Sequence, residues 1–133
     1  MKCLILVTLL AVGSQSFFTA EQHEFAKKLA ITCSDEIGEG LPENIGDRFR
    51  SGDLTLTDAK SKCFMKCMFS KVGFIDGDGI VNKTVLVDKL SKGNPKEKAE
   101  SFAERCNMFE GSDGCEKALG LYECYHKNKA SYF

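Results

Sequence analysis

Apolar residues recur every three or four positions along most of the chain, with polar residues between them. In the first such segment Phe25, Leu29 and Cys33 are each four residues apart, a spacing that places them on one face of a helix. We predict this helix to begin at Thr19 or Ala20 and to end near residue 36, before two glycines. No segment shows the alternation of a strand, so the pattern predicts an all-α protein.

Glycine and proline divide the rest of the chain into five more helical segments. We predict these to start near Pro42, after Thr57, near residue 83, at Pro95 and after Asp113. The fifth helix is expected to extend through Phe109, and the sixth to leave a tail from residue 127 to residue 133. The expected architecture is one domain of six helices.

The N-terminal residues have the layout of an export signal. A basic residue, Lys2, precedes an apolar run over residues 3–12, and small residues follow at positions 13, 14 and 16. A run this short does not span a bilayer, which needs about 20 apolar residues. We therefore predict a secretory signal peptide within residues 1–20, cleaved between residues 14 and 20. The domain of a secreted, extracellular protein then spans residues 21–133.

Cysteine usage supports export. Cys3 lies in the predicted signal peptide, and an even number of cysteines remains: Cys33, Cys63, Cys67, Cys106, Cys115 and Cys124. In a short exported chain this indicates a framework of three disulfides, and the spacing alone does not choose among the pairings. A metal site is the alternative, but His23 and His126 lie outside any metal-ligand spacing, so we predict no metal.

The spacing of these cysteines resembles that of the insect odorant-binding protein family, the six-cysteine carriers of general odorants and pheromones. The resemblance covers the whole mature chain and includes the segment Cys63-Phe64-Met65-Lys66-Cys67, the eight residues between Cys115 and Cys124, and the loop over residues 73–82. It implies six helices around an apolar cavity. It also implies the disulfides Cys33–Cys67, Cys63–Cys115 and Cys106–Cys124.

The same resemblance implies a function. Members carry small hydrophobic molecules, such as odorants or pheromones, through sensillar lymph or haemolymph. The expected partners are a small apolar ligand and, as a candidate, an olfactory receptor, and the expected state is a monomer or weak homodimer. A lipid carrier of haemolymph or a secretory gland with the same fold is one alternative. A secreted helical signalling protein, with a compact core and an exposed apolar patch, is another.

The candidate cavity-lining residues are apolar positions of the predicted helices and their flanks: Phe64, Met68, Val72, Phe74, Leu86, Leu90, Phe102, Leu119, Tyr122 and Phe133. The same stripes are equally typical of an ordinary core. A hydroxyl of Tyr122 or Tyr125 is a candidate to orient a polar head group. The last two residues, Tyr132 and Phe133, are candidates to cover an opening of the cavity.

Three further motifs have two interpretations each. Asp76 and Asp78 resemble the start of a calcium loop, but the later ligand positions are apolar, so a turn is expected. Asn82 begins a glycosylation sequon and also suits a helix cap. His126 is expected at the surface, and the sharper hypothesis makes it a pH switch that loosens the tail when protonated.

Charge and motifs exclude other classes of function. The chain has 18 basic and 19 acidic residues, interspersed, for a formal net charge of −1. Nucleic-acid binding needs clustered Lys and Arg, and so does an electrostatic membrane anchor, so neither is expected. No motif of a hydrolase or metalloprotease occurs and no cysteine is left over as a nucleophile, so we expect no enzyme and no cofactor.

Overall fold

The computed structural model describes residues 18–132, so most of the predicted signal peptide and Phe133 lie outside the described residues. Six helices form in this range: α1 (Ala20–Ile37), α2 (Ile45–Ser51), α3 (Ala59–Lys71), α4 (Lys83–Leu90), α5 (Lys96–Arg105) and α6 (Gly114–Tyr132). The described range contains no strand, only an isolated antiparallel bridge between Ile75 and Val81. The all-α, six-helix prediction is confirmed.

Side chains at the N-termini fix where the helices begin. At α1 the hydroxyl of Thr19 accepts from the backbone N–H of Gln22, and the Gln22 side chain accepts from the backbone N–H of Thr19. This reciprocal capping box matches the predicted start. At α3 the prediction is wrong by one residue, because the carboxylate of Asp58, and not the hydroxyl of Thr57, accepts from the N–H of Ser61 at 3.1 Å.

The predicted start of α2 and the predicted end of α5 are also wrong. Pro42 lies in the loop before α2, because Asn44 adopts a left-handed conformation with φ of 55° and only the residues after it are helical. Helix α5 ends at Arg105 and does not reach Phe109, since the amide of Asn107 bonds the carbonyls of Ala103 and Glu104.

The predicted C-terminal tail is also helical. Helix α6 continues to Tyr132, and the amide of Asn128 donates to the carbonyl of Cys124 at 2.8 Å within it. Lys and Ala, which favour helices, fill much of this last stretch. The residues expected to form a loose tail therefore extend the last helix.

Three disulfides tie the helices together. Cys33–Cys67 joins α1 to α3, Cys63–Cys115 joins α3 to α6, and Cys106–Cys124 joins the end of α5 to α6. These are the pairs that the family resemblance implies. Each such bridge in a small exported domain contributes about 2–5 kcal/mol to stability.

The core is centred on the contact between α3 and α6, the most extensive contact between two helices in the described range. Phe64 and Met65 of α3 and Ala118, Leu121 and Tyr122 of α6 are all buried there. Helix α1 packs on the same α3, where Cys33 bonds Cys67, and its residues Leu29 and Ala30 are also buried. Helix α3 is thus the centre of the domain.

Candidate functional site: an internal aromatic cavity

A cavity of about 590 Å³ lies among the helices. Every helix contributes to its wall, as does Phe18 ahead of α1. The volume falls within the range of small-molecule sites, which is about 300–1,000 Å³. The wall is largely apolar, so the cavity suits a molecule that water solvates poorly.

Aromatic rings pack edge to face or in stacks around the cavity. Phe49 stacks on Tyr122 with ring centroids 5.1 Å apart, and Phe69 lies 6.2 Å from Phe74. Phe18 reaches Phe74 at 6.3 Å and Tyr125 at 5.6 Å. Such contacts hold the rings in place, so the cavity has a defined shape.

The structure places most of the predicted lining residues in this wall: Met68, Val72, Phe74, Leu86, Leu90, Phe102 and Tyr122. Two others lie elsewhere. Phe64 is fully buried behind Phe49, whose ring contacts it edge-on at 5.7 Å. Leu119 is two positions from the lining residue Leu121, which puts the two on opposite sides of α6.

Sequence reasoning missed four aromatic wall residues: Phe18, Phe25, Phe49 and Phe69. The available signal for Phe49 is its spacing of four residues from Ile45, which puts the two on one face of the second helix. Phe69 neighbours Met68 but is not on its predicted stripe. Phe18 fell within the predicted signal peptide and so was set aside.

The hydroxyl of Tyr122 is engaged by the protein itself. It donates to the backbone carbonyls of Arg48 and Asp53, at 3.2 and 3.1 Å, while the ring faces the cavity. Burial raises the pKa of this phenol, with the nearby carboxylate of Asp53 as a second cause. The proton of this hydroxyl is therefore used within the protein, and an orienting role toward a ligand head group stays a prediction for the lone pairs of its oxygen.

Charged side chains order the loop after α2, which includes the Asp53 carbonyl that accepts from Tyr122. The carboxylate of Asp53 accepts from Thr55 and from Nε of Arg48, the latter at 2.8 Å. These bonds, that of Thr55 first, lower the pKa of Asp53 to about 2. The loop after α2 is thereby fixed against α6 at one end of the cavity.

His126 is half-buried in the cavity wall, so the expectation of a surface residue is wrong. Its ring meets Tyr122 and Tyr125 edge-on, at 4.7 and 4.6 Å. Burial and then the charge of Lys129, whose Nζ lies 3.3 Å from Nδ1, lower its pKa to about 4. The imidazole is therefore neutral over most of the physiological range.

A few charged residues line the cavity beside the apolar ones: Glu21, Arg50, Lys89 and Lys92. The side chain of Gln22 donates to the carbonyl of Lys89 at 3.1 Å, which joins the start of α1 to the end of α4. Cations thus outnumber carboxylates among the residues around the cavity.

The remaining candidate motifs lie away from the cavity. Asp76 accepts from the N–H groups of Asp78 and Ile80, at 2.8 and 2.9 Å, and so forms a turn. Asn82 is exposed and accepts from the N–H of Val85 at 3.1 Å, which caps α4. Between residues 18 and 132 no cluster of His, Cys, Asp or Glu is placed to hold a metal ion. No helix in that stretch has the length and apolarity to cross a bilayer.

Comparison with known proteins gives the family. Residues 15–128 match the sequence model of the PBP/GOBP family. General odorant-binding protein 56a of Drosophila melanogaster is 32% identical over 120 residues, which cover 90% of this chain and 84% of that protein. The chain belongs to the PBP/GOBP family of insect odorant-binding proteins.

Solved odorant-binding proteins share the fold. The blowfly Phormia regina protein described as a fatty acid binding protein from the oral disk is 28% identical, with a TM-score of 0.70 over 86% of this chain and 96% of that one. A medfly odorant-binding protein is 32% identical, with a TM-score of 0.57 over 80% and 90% of the two chains. This chain is therefore a small-ligand-binding carrier, and the predicted family and function are confirmed.

Proposed function

We propose that the protein is a secreted, non-catalytic carrier that holds a small apolar molecule in its cavity and moves it through an aqueous fluid. The observation that carries this proposal is the aromatic cavity of about 590 Å³ inside a disulfide-bonded helical shell. Such a shell shields the ligand from water without requiring any chemical step.

The energetics of burial fit a reversible carrier. Removing apolar surface from water gains about 25 cal/mol per Å², so a ligand that buries roughly 300 Å² gains about 7 kcal/mol before the costs of association. An affinity of 1 μM corresponds to about −8 kcal/mol. The gain from burial is close to this value before costs are subtracted, so reversible binding in the micromolar range or weaker is expected.

The proposed ligand contacts are the apolar lining residues. The cavity wall presents aliphatic and aromatic surface from Met68, Leu86, Leu90 and Phe102. Phe74 adds a further ring, close to that of Phe18. The shape of these walls provides selectivity between ligands of different length and branching.

Carriage of lipids outside olfaction is a second candidate function. It is favoured by the similarity to the blowfly protein that is described as fatty acid binding. The two candidates share the fold and the cavity, and they differ in the ligand and the fluid, sensillar lymph or haemolymph.

Four further features belong to the same proposal. The carrier acts as a monomer or weak homodimer, and an olfactory receptor is its candidate partner. Asn82, exposed on the surface, is a candidate glycosylation site, which the intact mass of secreted protein tests. The end of α6 is a candidate gate for the cavity, and deletion of residues 130–133 should then speed ligand release.

Displacement of a fluorescent apolar probe, N-phenyl-1-naphthylamine, from the oxidised protein tests the proposal. We expect saturable binding and micromolar displacement by odorants or fatty acids. Val72→Trp fills the cavity wall and should weaken probe binding at least about tenfold. Ile80→Trp, at an exposed position outside the wall, should not.

Two outcomes contradict the proposal. Absence of saturable binding to folded, thiol-free protein would favour the signalling alternative. Equal probe affinity in the Val72→Trp variant and the wild type would show that the probe binds elsewhere.

A further inference from the structure

The cavity reaches solvent between the start of α1 and the end of α4. Three residues of its wall are exposed, Glu21 and Phe25 on α1 and Lys92 just after α4. Phe25 is 53% exposed although it lines the cavity. The other lining residues are buried or half-buried. We call the gap bordered by these three exposed residues the mouth of the cavity.

The side chain of Gln22 spans the mouth. Its Nε2 donates to the backbone carbonyl of Lys89 at 3.1 Å, and its Oε1 accepts from the backbone N–H of Thr19 at 2.8 Å. The Lys89 carbonyl is among the last four of α4, and such carbonyls have no partner within their own helix. One half-buried amide thus completes the cap of α1 and also joins α1 to the end of α4.

Helix α4, on the far side of the mouth, forms a hairpin with α5. The two helices pack on each other, and Nζ of Lys83 pairs with the carboxylate of Glu104 at 2.8 Å between the start of α4 and the end of α5. At this base the hairpin is tied to α6, because Cys106 bonds Cys124. Among the described helices, α4 packs extensively on α5 alone. The end of α4 at the mouth is therefore remote from the disulfide that anchors the hairpin.

We propose that ligands enter and leave through the mouth and that Gln22 is its latch. When the hydrogen bond from Gln22 to Lys89 breaks, the end of α4 can move away from α1 and widen the gap. This inference rests on the proposed carrier function and adds the route of ligand exchange. The rates of entry and exit then scale with the fraction of molecules whose latch is open. Loss of one hydrogen bond should raise that fraction about threefold to tenfold.

The variant Gln22→Glu separates the latch from the helix cap. A glutamate at this position still accepts from the N–H of Thr19, as in the usual capping box, but it has no N–H to donate to Lys89. Stopped-flow fluorescence measures association and dissociation of N-phenyl-1-naphthylamine with the oxidised protein at pH 7.4. We expect both rate constants to rise about threefold to tenfold. The rise in association is decisive, because lost ligand contacts change mainly dissociation.

Two further variants control for charge and for general loosening of the fold. Gln22→Met also lacks the donor and adds no charge, so both rate constants should rise in it as well. Asn128→Asp is the matched control, because it makes the same exchange of amide for carboxylate outside the cavity wall. It loses the bond from its amide to the Cys124 carbonyl, which is 2.8 Å long in the wild type. Both rate constants should stay within about twofold of the wild type in this control.

Four results would overturn the proposal. The first is a rise in dissociation alone in Gln22→Glu, and the second is a rise in Gln22→Glu that Gln22→Met lacks. The third is wild-type rate constants in both Gln22 variants, which would place the opening elsewhere, such as at the end of α6. The fourth is an equal rise in Asn128→Asp. Each leaves the carrier function standing, because the probe still binds. Loss of saturable probe binding by the wild type would instead contradict the carrier function itself.

Discussion

The two ends of α3 show how one helix serves two purposes. Near its start, Ser61, Phe64 and Met65 are buried in close packing against other helices. Toward its end, Met68 and Phe69 border the cavity. Phe64 and Met68 are four residues apart and share a helical face. The same apolar stripe therefore packs against protein at one end of α3 and borders the cavity at the other.

Neighbouring elements cause this difference. The Cα atoms of Cys63 and Cys115 are 4.6 Å apart, so the start of α6 lies directly on the start of α3. Phe49 then covers Phe64. Beyond that ring Met68, although buried, also borders the cavity. The periodicity of apolar residues predicts which side chains are buried. Whether a buried side chain lies in the packed core or lines the cavity depends on which residues of the neighbouring helices face it.

The largest expected effect comes from truncation at the packed end. Phe64→Ala should reduce the free energy of unfolding by about 3–5 kcal/mol, since a large core side chain leaves a void. Phe69→Ala removes the same ring from the cavity wall and should cost clearly less, while weakening probe binding more. Urea denaturation of the oxidised variants measures the first quantity. Equal losses of stability would remove the distinction between the two ends.

A glycine contact tests how tightly the loop after α2 closes the cavity. Gly52 has φ of +84°, and an added Cβ would lie 2.6 Å from Nδ1 of His126. Gly73 has the same φ, but its nearest neighbour would be 3.3 Å away. Gly52→Ala should therefore cost about 2–3 kcal/mol of stability and Gly73→Ala about 1 kcal/mol. Similar thermal midpoints for the two variants would argue against close packing of His126.

Phe18 should affect binding more than stability. Its ring lies between Phe74 and Tyr125, outside the packed core. Phe18→Ala should weaken probe binding about threefold to tenfold, which corresponds to the free energy of one aromatic contact. Ile31→Ala, at an exposed position on α1, is the control and should bind as the wild type does. An unchanged affinity in Phe18→Ala would remove this ring from the site.

The smallest effect concerns pH. The pKa of His126 is about 4 in the folded protein against 6.5 for an ordinary imidazole, so the unfolded chain takes up the proton first. The contribution of the neutral ring to stability is complete above about pH 6.5 and is lost as the pH falls toward 4. Affinity for the neutral probe should change less than about twofold between pH 7 and pH 5 and decline near pH 4.

His126→Gln should remove the decline near pH 4, and probe titrations in both proteins test this. Lys129 faces the ring on α6. Arg50 on α2 borders the same cavity and also keeps its charge. A fall in affinity between pH 7 and pH 5 that the variant abolishes would instead support a switch at mildly acidic pH.

Local signals made much of the fold predictable. Thr19 and Gln22 give a capping pair that is visible in the sequence, and the predicted and observed starts of α1 agree. The start of α2 predicted from Pro42 was wrong, because a proline suits a loop as well as a first helical turn. The left-handed Asn44 that delays α2 depends on its surroundings. The disulfide pairing came from the family resemblance, since spacing alone leaves it open.

The site was less predictable because a cavity is a property of several elements together. Leu119 and Leu86 look alike as apolar helical positions, yet only Leu86 lines the cavity. Tyr122 was identified as a lining residue, but its hydroxyl bonds a loop over 60 residues away in sequence. Arg50 gave no signal at all, since a charge at a helix end normally lies in solvent.

The position at which the predicted signal peptide is cut decides whether the mature protein keeps the cap and ring ahead of α1. A cut after Ser14 or Ser16 leaves Phe18 against Phe74 and keeps the cap at Thr19. A cut after Ala20 deletes the ring and the cap together. The predicted cleavage window therefore includes cuts that retain this part of the cavity wall and one that removes it.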